Sequence, residues 1–140
     1  MTHINYKHNK TILFDSKVYT LNHSLIFVLE DILSYSYRTF EGYMKAYKKL
    51  HGNSYLIPIM LFETCYLIPM FGYRSHENTL INYFEIERVI RHGMSSRIYF
   101  KNRTYVDINK PLKLILKQIK RASIDLHTKK TFSLMEIMNL

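Results

Sequence analysis

The stretch "YLIPIMLFETCYLIPMFGYRSHEN", Tyr55 to Asn78, decides the fold. It contains Tyr-Leu-Ile-Pro twice, from Tyr55 and again from Tyr66, and turns polar after Phe71. A bilayer span needs ~20 mostly apolar residues in one helix. Here Glu63 and Thr64 sit in the middle, and Pro58 and Pro69 each remove a backbone donor. A carboxylate at that depth costs a few kcal/mol. The tandem motif is also too short in period and too few in copies for a solenoid. Short apolar runs bounded by turn signals fit buried strands instead. Residues 56–62 and 65–71 therefore read as a hairpin turning at Glu63-Thr64. Residues 72–78 follow as a polar loop, the kind of segment that carries binding residues. Gly72 gives that loop a place to turn, and Arg74 and Asn78 are its candidate contact residues.

The rest of the chain builds outward from this hairpin. Residues 1–10 are polar and read as a frayed tail. Residues 11–14 and 18–21 pair as a hairpin across Asp15-Ser16-Lys17. Asn22 or Ser24 caps a helix whose apolar side is Leu25, Val28, Leu29, Ile32 and Leu33. A second helix covers about 37–50, with Phe40, Tyr43, Tyr47 and Leu50 on one side and Gly52-Asn53 as its stop. Residues 80–89 alternate loosely as a strand, and 98–108 form a hairpin turning at Lys101-Asn102-Arg103. Residues 110–123 are the clearest helix, with Pro111 in its first turn. Its apolar stripe reads Leu112, Ile115, Leu116 and Ile119, opposite Lys113, Lys117 and Lys120. Residues 128–140 form a second tail. The fold class is α+β: a single domain, a mainly antiparallel β-sheet with packed helices, including a C-terminal amphipathic helix.

The chain has 140 residues, enough for one real core, and 20 Lys and Arg against 11 Asp and Glu, a net charge of +9. That balance favours a polyanionic partner: DNA, RNA or an acidic surface. Cys65 is the one cysteine, so no internal disulfide forms, which fits a reducing cytosol. Its apolar neighbours suggest a buried, inert thiol. The opening residues lack a signal-peptide core. No HExxH, Cys pair, P-loop, GxGxxG or GxSxG is present, so no metal, cofactor or catalytic residue is assigned. The types in "RSHEN", Arg74 to Asn78, occur in nucleases, but no second carboxylate cluster supports them.

The basic residues fall into groups. Lys113, Lys117 and Lys120 share a helix face able to lie along phosphates. Lys45, Lys48 and Lys49 cluster near Tyr43 and Tyr47. Arg74 stands in its loop, Arg88 and Arg91 accompany a strand, and Arg97, Lys101 and Arg103 flank a turn. An Arg on a turn suits a narrow minor groove. No helix-turn-helix, zinc finger or basic zipper is visible.

The order of these elements resembles the ComK family of competence transcription factors, over about residues 24–122. Family members carry a Ser-Cys helix, a basic helix, a "PI" strand, a strand ending in Phe-Pro-Thr-x-Ser, an Asn-x-x-Trp-Ile-type strand, a "FxNG" hairpin and a helix with a conspicuous Gln. The counterparts here are Ser36-Tyr37, Pro58-Ile59, Ile68-Pro69-Met70, "ENTLIN" at 77–82, "FKN" at 100–102, and Gln118. Tyr37 replaces the Cys, Leu80 the Trp, and no Gly-Arg pair follows Tyr43. The resemblance implies a sequence-specific DNA-binding activator that reads paired A/T-rich boxes largely from the minor groove of double-stranded DNA. It further implies a homo-oligomer working beside RNA polymerase, a cytoplasmic, nucleoid-associated location, and a proteolytic adaptor as a possible partner. The DNA contacts it leads us to expect are Arg74, Asn78, Lys45, Lys48, Lys49, Arg103, Lys113, Lys117 and Lys120. Two alternatives remain open: an interaction protein that modulates a full-length relative or its adaptor without regulatory DNA binding, and a metal-dependent nuclease.

Overall fold

The computed structural model describes residues 1–52 and 55–138. Strands β1 (His3–Lys7), β2 (Lys10–Phe14) and β3 (Val18–Leu21) precede helices α1 (Leu25–Ser34) and α2 (Phe40–His51). Then come β4 (Ile59–Phe62), β5 (Cys65–Pro69), β6 (Asn78–Asn82), a 3-10 turn at Tyr83–Glu85, β7 (Ile86–His92), β8 (Ser95–Phe100), β9 (Tyr105–Ile108) and α3 (Leu112–Met138). Every strand pair is antiparallel. One sheet has six strands in the order β3-β2-β1-β6-β5-β4, and the other three in the order β7-β8-β9. The fold is a single α+β domain.

The opening hairpin is β4–β5, with Ile59 opposite Leu67. All five residues of β5 are buried, because both faces of the six-stranded sheet are covered at this strand. Cys65 and Leu67 face α1 together with Ile4, Leu25, Leu29, Ile59 and Leu80. Tyr66, Ile68 and Ile81 face the other way, onto Ile98 and Phe100 of β8 and Ile115 and Ala122 of α3. Alternation disappears when both sides of a strand need apolar residues, which is why this region looks membrane-like in sequence. Among the described residues no helix is long and apolar enough to cross a membrane. Burial pushes the Cys65 thiol up to about 12, so it stays protonated and unreactive at neutral pH.

The β4 edge of the large sheet is covered by side chains. At β4, Arg38 donates to the carbonyls of Met60 and Leu61, while the Met60 N–H donates to the Tyr43 hydroxyl at 2.9 Å. Side chains thus occupy the polar groups that would otherwise recruit another strand. The Tyr43 hydroxyl titrates above its ordinary range because it is desolvated.

Several expectations hold. Ser24 caps α1 by accepting from Phe27 N, and Gly52 ends α2 at φ 83°. The β2–β3 and β8–β9 hairpins sit where the sequence put them.

Four expectations are corrected. Residues 1–10 are not a frayed tail: β1 lies inside the large sheet, paired on both sides with β2 and β6. Residues 80–89 are not one strand. The Asn82 side chain accepts from Phe84 N, turns the chain, and separates β6 in one sheet from β7 in the other. The long helix does not stop at Ser123 but runs to Met138, so most of the presumed tail is helical; Asn139 and Leu140 lie outside the described residues. Finally, Leu116 is 48% exposed, and the face of α3 that packs is Ile115, Ile119, Ala122 and Leu126.

The two sheets and α2 and α3 are joined by polar contacts within the apolar layers. His3 lies between the rings of Phe14 and Phe100, with centroids 4.2 and 5.1 Å away and the planes nearly parallel. Burial lowers its pKa to about 4, so the stack contains a neutral imidazole. The Tyr47 hydroxyl donates to Asp125 on α3, with His51 Nδ1 3.6 Å from the same carboxylate. Burial raises the pKa of Asp125.

Candidate nucleic-acid interface

The polar loop after β5 is pinned at both ends. Tyr73 donates its hydroxyl proton to the Ile57 carbonyl and packs edge-on against Phe40 at 5.1 Å. Asn78 is 2% exposed. Its Oδ1 accepts from Phe71 N and Thr79 N, and its Nδ2 donates to the carbonyls of Phe71 and Gly72. Asn78 is thus a loop lock, its amide turned inward onto the loop backbone rather than toward the surface where a DNA contact was expected. Asn82, at the other end of β6, does similar work: its Nδ2 donates to Met1 and Thr64 carbonyls and its Oδ1 accepts from Tyr66 N. Gly72 needs no left-handed backbone; a Cβ there would meet the Tyr55 hydroxyl at 2.7 Å and Cζ at 3.2 Å, with Ser75 Oγ at 3.7 Å, and the exposed Tyr55 ring has room to swing aside.

Arg74, between these anchors, is exposed. It shares a cleft of about 490 Å³ with Lys48, lined also by Phe40, Met44 and Tyr73. The structure therefore brings two expected residues together. Lys45 instead pairs with Glu41 at 3.2 Å, one turn back on α2, and Lys49 is exposed on the same helix. His76 and Glu77 are exposed, Glu77 lies 3.8 Å from Lys7, and with Asn78 turned inward the "RSHEN" types do not converge. Among the described residues no group of three His, Cys, Asp or Glu is placed to hold a metal.

Lys113, Lys117 and Lys120 are exposed on the side of α3 opposite its packed residues. That packed side meets the inner face of the three-stranded sheet, where Ile98, Phe100 and Ile108 lie. The outer face of the same sheet points the other way. One straight duplex therefore cannot lie flat on both surfaces of one molecule.

The outer face is the surface that residue grouping alone missed. Along β8, Ser96, Ile98 and Phe100 are buried, and Ser95, Arg97 and Tyr99 alternate outward. Register places Arg88 beside Tyr99, Ile90 beside Arg97, Tyr99 beside Tyr105, and Arg97 beside Asp107. The Arg88 guanidinium lies 4.4 Å over the Tyr99 ring, and that of Arg97 4.1 Å over Tyr105. Such contacts are worth ~0.5–1 kcal/mol at exposed sites. They hold each guanidinium flat and limit its rotamers. Arg97 also donates to both Asp107 oxygens, at 2.8 and 3.1 Å. That bond lowers the Asp107 pKa and raises that of Arg97.

This face runs into the β8–β9 turn. Asn102 Oδ1 accepts from Thr104 N at 3.1 Å and from the Thr104 hydroxyl, tightening the bend. Arg103 takes φ 71° there and projects into solvent next to exposed Lys101. Arg74, Arg88, Lys101 and Arg103 have no ion-pair partner among the described residues. The signal that could have located this face is the period-two alternation of "SSRIYF", which puts Arg97 and Tyr99 in one phase.

No curated protein and no solved structure matches the chain. The family model described as ComK protein matches residues 1–131, from the buried strand β1 through most of α3. The chain belongs to the ComK family.

Proposed function

We propose that this protein is a competence-type transcriptional regulator that binds A/T-rich DNA boxes, largely through the minor groove. The observation that carries the reading is the ladder of Arg88, Tyr99, Tyr105 and Arg97, which ends at the Arg103 turn. It sits on a chain of the ComK family with net charge +9. A·T tracts have a narrow, electronegative minor groove that attracts Arg. Arg103 on a tight turn is shaped to enter it. Arg88, Lys101 and the two tyrosines flank that turn and suit phosphate contacts, which fix register without reading sequence. Lys48 and Arg74 provide a second basic surface. On this reading the protein works in the cytoplasm at the nucleoid, as an oligomer beside RNA polymerase, and has no enzymatic activity.

The test is a gel-shift titration of A/T-box duplex and G·C-rich duplex at several salt concentrations. Binding should prefer the A/T box and fall steeply with salt, each neutralised phosphate contributing roughly −0.9 to the log–log slope. Arg103→Ala should narrow the preference. Equal affinity for both duplexes with a flat salt dependence would sink the reading. Loss of preference on Arg74→Ala but not Arg103→Ala would move the reader to the Lys48–Arg74 cleft.

The second reading, an interaction protein that modulates a relative or its proteolytic adaptor, is favoured by one observation. Leu114, Leu116 and Ile124 of α3 are each about half exposed, at 46%, 48% and 54%. They lie on different sides of the helix, so each offers a partner one apolar contact rather than a shared patch.

A further inference from the structure

The first half of α3 forms a cleft of about 260 Å³ with β5 and the segment leading to β4. Buried Pro58, Ile68 and Ala122 line its apolar interior, and exposed Tyr55 and Leu114 flank it. Lys110, Lys117 and Arg121 also line it, and no carboxylate does. Lys110 donates to the Met70 carbonyl at 2.6 Å and keeps two further N–H groups.

Gln118 is the unusual member. Its Nε2 donates to the Pro69 carbonyl at 3.0 Å, which fixes the amide orientation. Its Oε1 is left buried with no donor, the sole such side-chain atom among the described residues. A buried acceptor without a donor destabilises a fold by ~1–3 kcal/mol. The fold tolerates one at a cleft ringed by cations.

We propose that this cleft docks an acidic segment of a partner protein: one apolar side chain enters it and flanking Asp or Glu residues meet Lys110, Lys117 and Arg121, while the side chains that cover Gln118 Oε1 shift to let a backbone N–H donate to it. Three features select that occupant. The orphan group is an acceptor, so the occupant brings a donor, which DNA phosphates lack. The interior is apolar and smaller than the roughly 300–1,000 Å³ of small-molecule sites, so it suits one anchoring side chain. The lining charge is wholly positive, which disfavours a second copy of this chain, at net +9, as the occupant of this cleft, though not pairing through another surface. The site goes beyond the DNA reading and stands or falls separately from it.

Fluorescence anisotropy tests it with a labelled, N-acetylated peptide carrying a central leucine between paired acidic residues. The full chain should bind this peptide at least tenfold better than the same peptide with serine at the centre. Lys117→Glu should weaken binding tenfold or more, and Gln118→Met should weaken it several-fold. Lys120→Glu makes the same charge change on the same helix outside the cleft and should leave binding within about twofold. Circular dichroism should show Lys117→Glu and Lys120→Glu, both at exposed positions, folded like the parent. The proposal is overturned if the serine peptide binds equally, if Lys117→Glu and Lys120→Glu weaken binding alike, or if no binding is seen up to ~1 mM, a free energy of only about −4 kcal/mol.

Discussion

β5 and β8 are both central strands, yet they serve opposite purposes. β5 is covered on both faces, by α1 on one side and by β8 and α3 on the other. Its residues are apolar without alternation. β8 is covered on one face only, so it alternates, and its free face carries the arginine–tyrosine ladder. In this molecule a continuous apolar run marks a strand covered on both faces, and an alternating strand marks one with a free face. The large sheet provides much of the core, and the free face of the small sheet carries the surface proposed for DNA.

That contrast can be broken at its strongest point first. Leu67→Asp puts an unpaired carboxylate between two covered faces and should unfold the protein, a loss of more than ~4 kcal/mol. Tyr105→Ser, on the free face of the small sheet, should cost about 1 kcal/mol or less in urea denaturation. Comparable losses for the two would erase the distinction between scaffold and surface.

Acid should attack the junction between the sheets next. The folded pKa of His3 is near 4, below its ordinary 6.5, so the folded state binds fewer protons between those values. Stability is therefore full above pH 6.5 and falls as pH drops toward 4, by up to ~3 kcal/mol. His3→Phe retains a ring between Phe14 and Phe100 and should remove most of that slope. An unchanged slope in the variant would assign acid sensitivity to other groups.

Asn78 sharpens the comparison at lower amplitude. Asn78→Ala leaves several buried backbone groups unpaired and should destabilise by ~1–3 kcal/mol. Since its side chain faces the protein, A/T-box preference should survive wherever the variant remains folded. Arg97→Gln should show the reverse: a stability change under ~1 kcal/mol, because its partner Asp107 is solvent-facing, with weakened binding to every duplex.

The hairpin after Tyr55 was legible in sequence because two prolines and a central Glu-Thr exclude a membrane helix, and burial on both faces leaves few other readings. β1 was not. Within "HINYK" only Ile4 is a fully buried aliphatic, and its partners Leu13 and Leu80 lie far apart in the chain. On α3, Leu116 and Ile115 are equally apolar neighbours in sequence. Ala122, too small to register as a stripe residue, decides which of them packs.

The residues that carry the family resemblance turn out to be mainly structural. Asn78 and Asn82 of "ENTLIN" lock loops, Phe100 fills the core, and Asn102 tightens a turn. A resemblance built on such positions identifies the fold and is silent about the contact surface. The arginine–tyrosine ladder was hidden for another reason. It depends on cross-strand register, and a shift between Ile86 and Arg88 sets which β7 residues meet β8. A single strand's pattern does not reveal where such an irregularity falls.

The measurement that bears most directly on the division between scaffold and surface is a paired gel shift with two multiple variants. One is Arg88→Ala with Arg103→Ala, on the free side of the small sheet; the other is Lys113→Gln, Lys117→Gln and Lys120→Gln together, on the opposite side. With both proteins shown folded by circular dichroism, the arginine variant should lose discrimination between A/T-box and G·C-rich duplex, and the lysine variant should keep it. The opposite result, discrimination retained without the arginines and lost without the lysines, would place DNA on α3 and contradict the account.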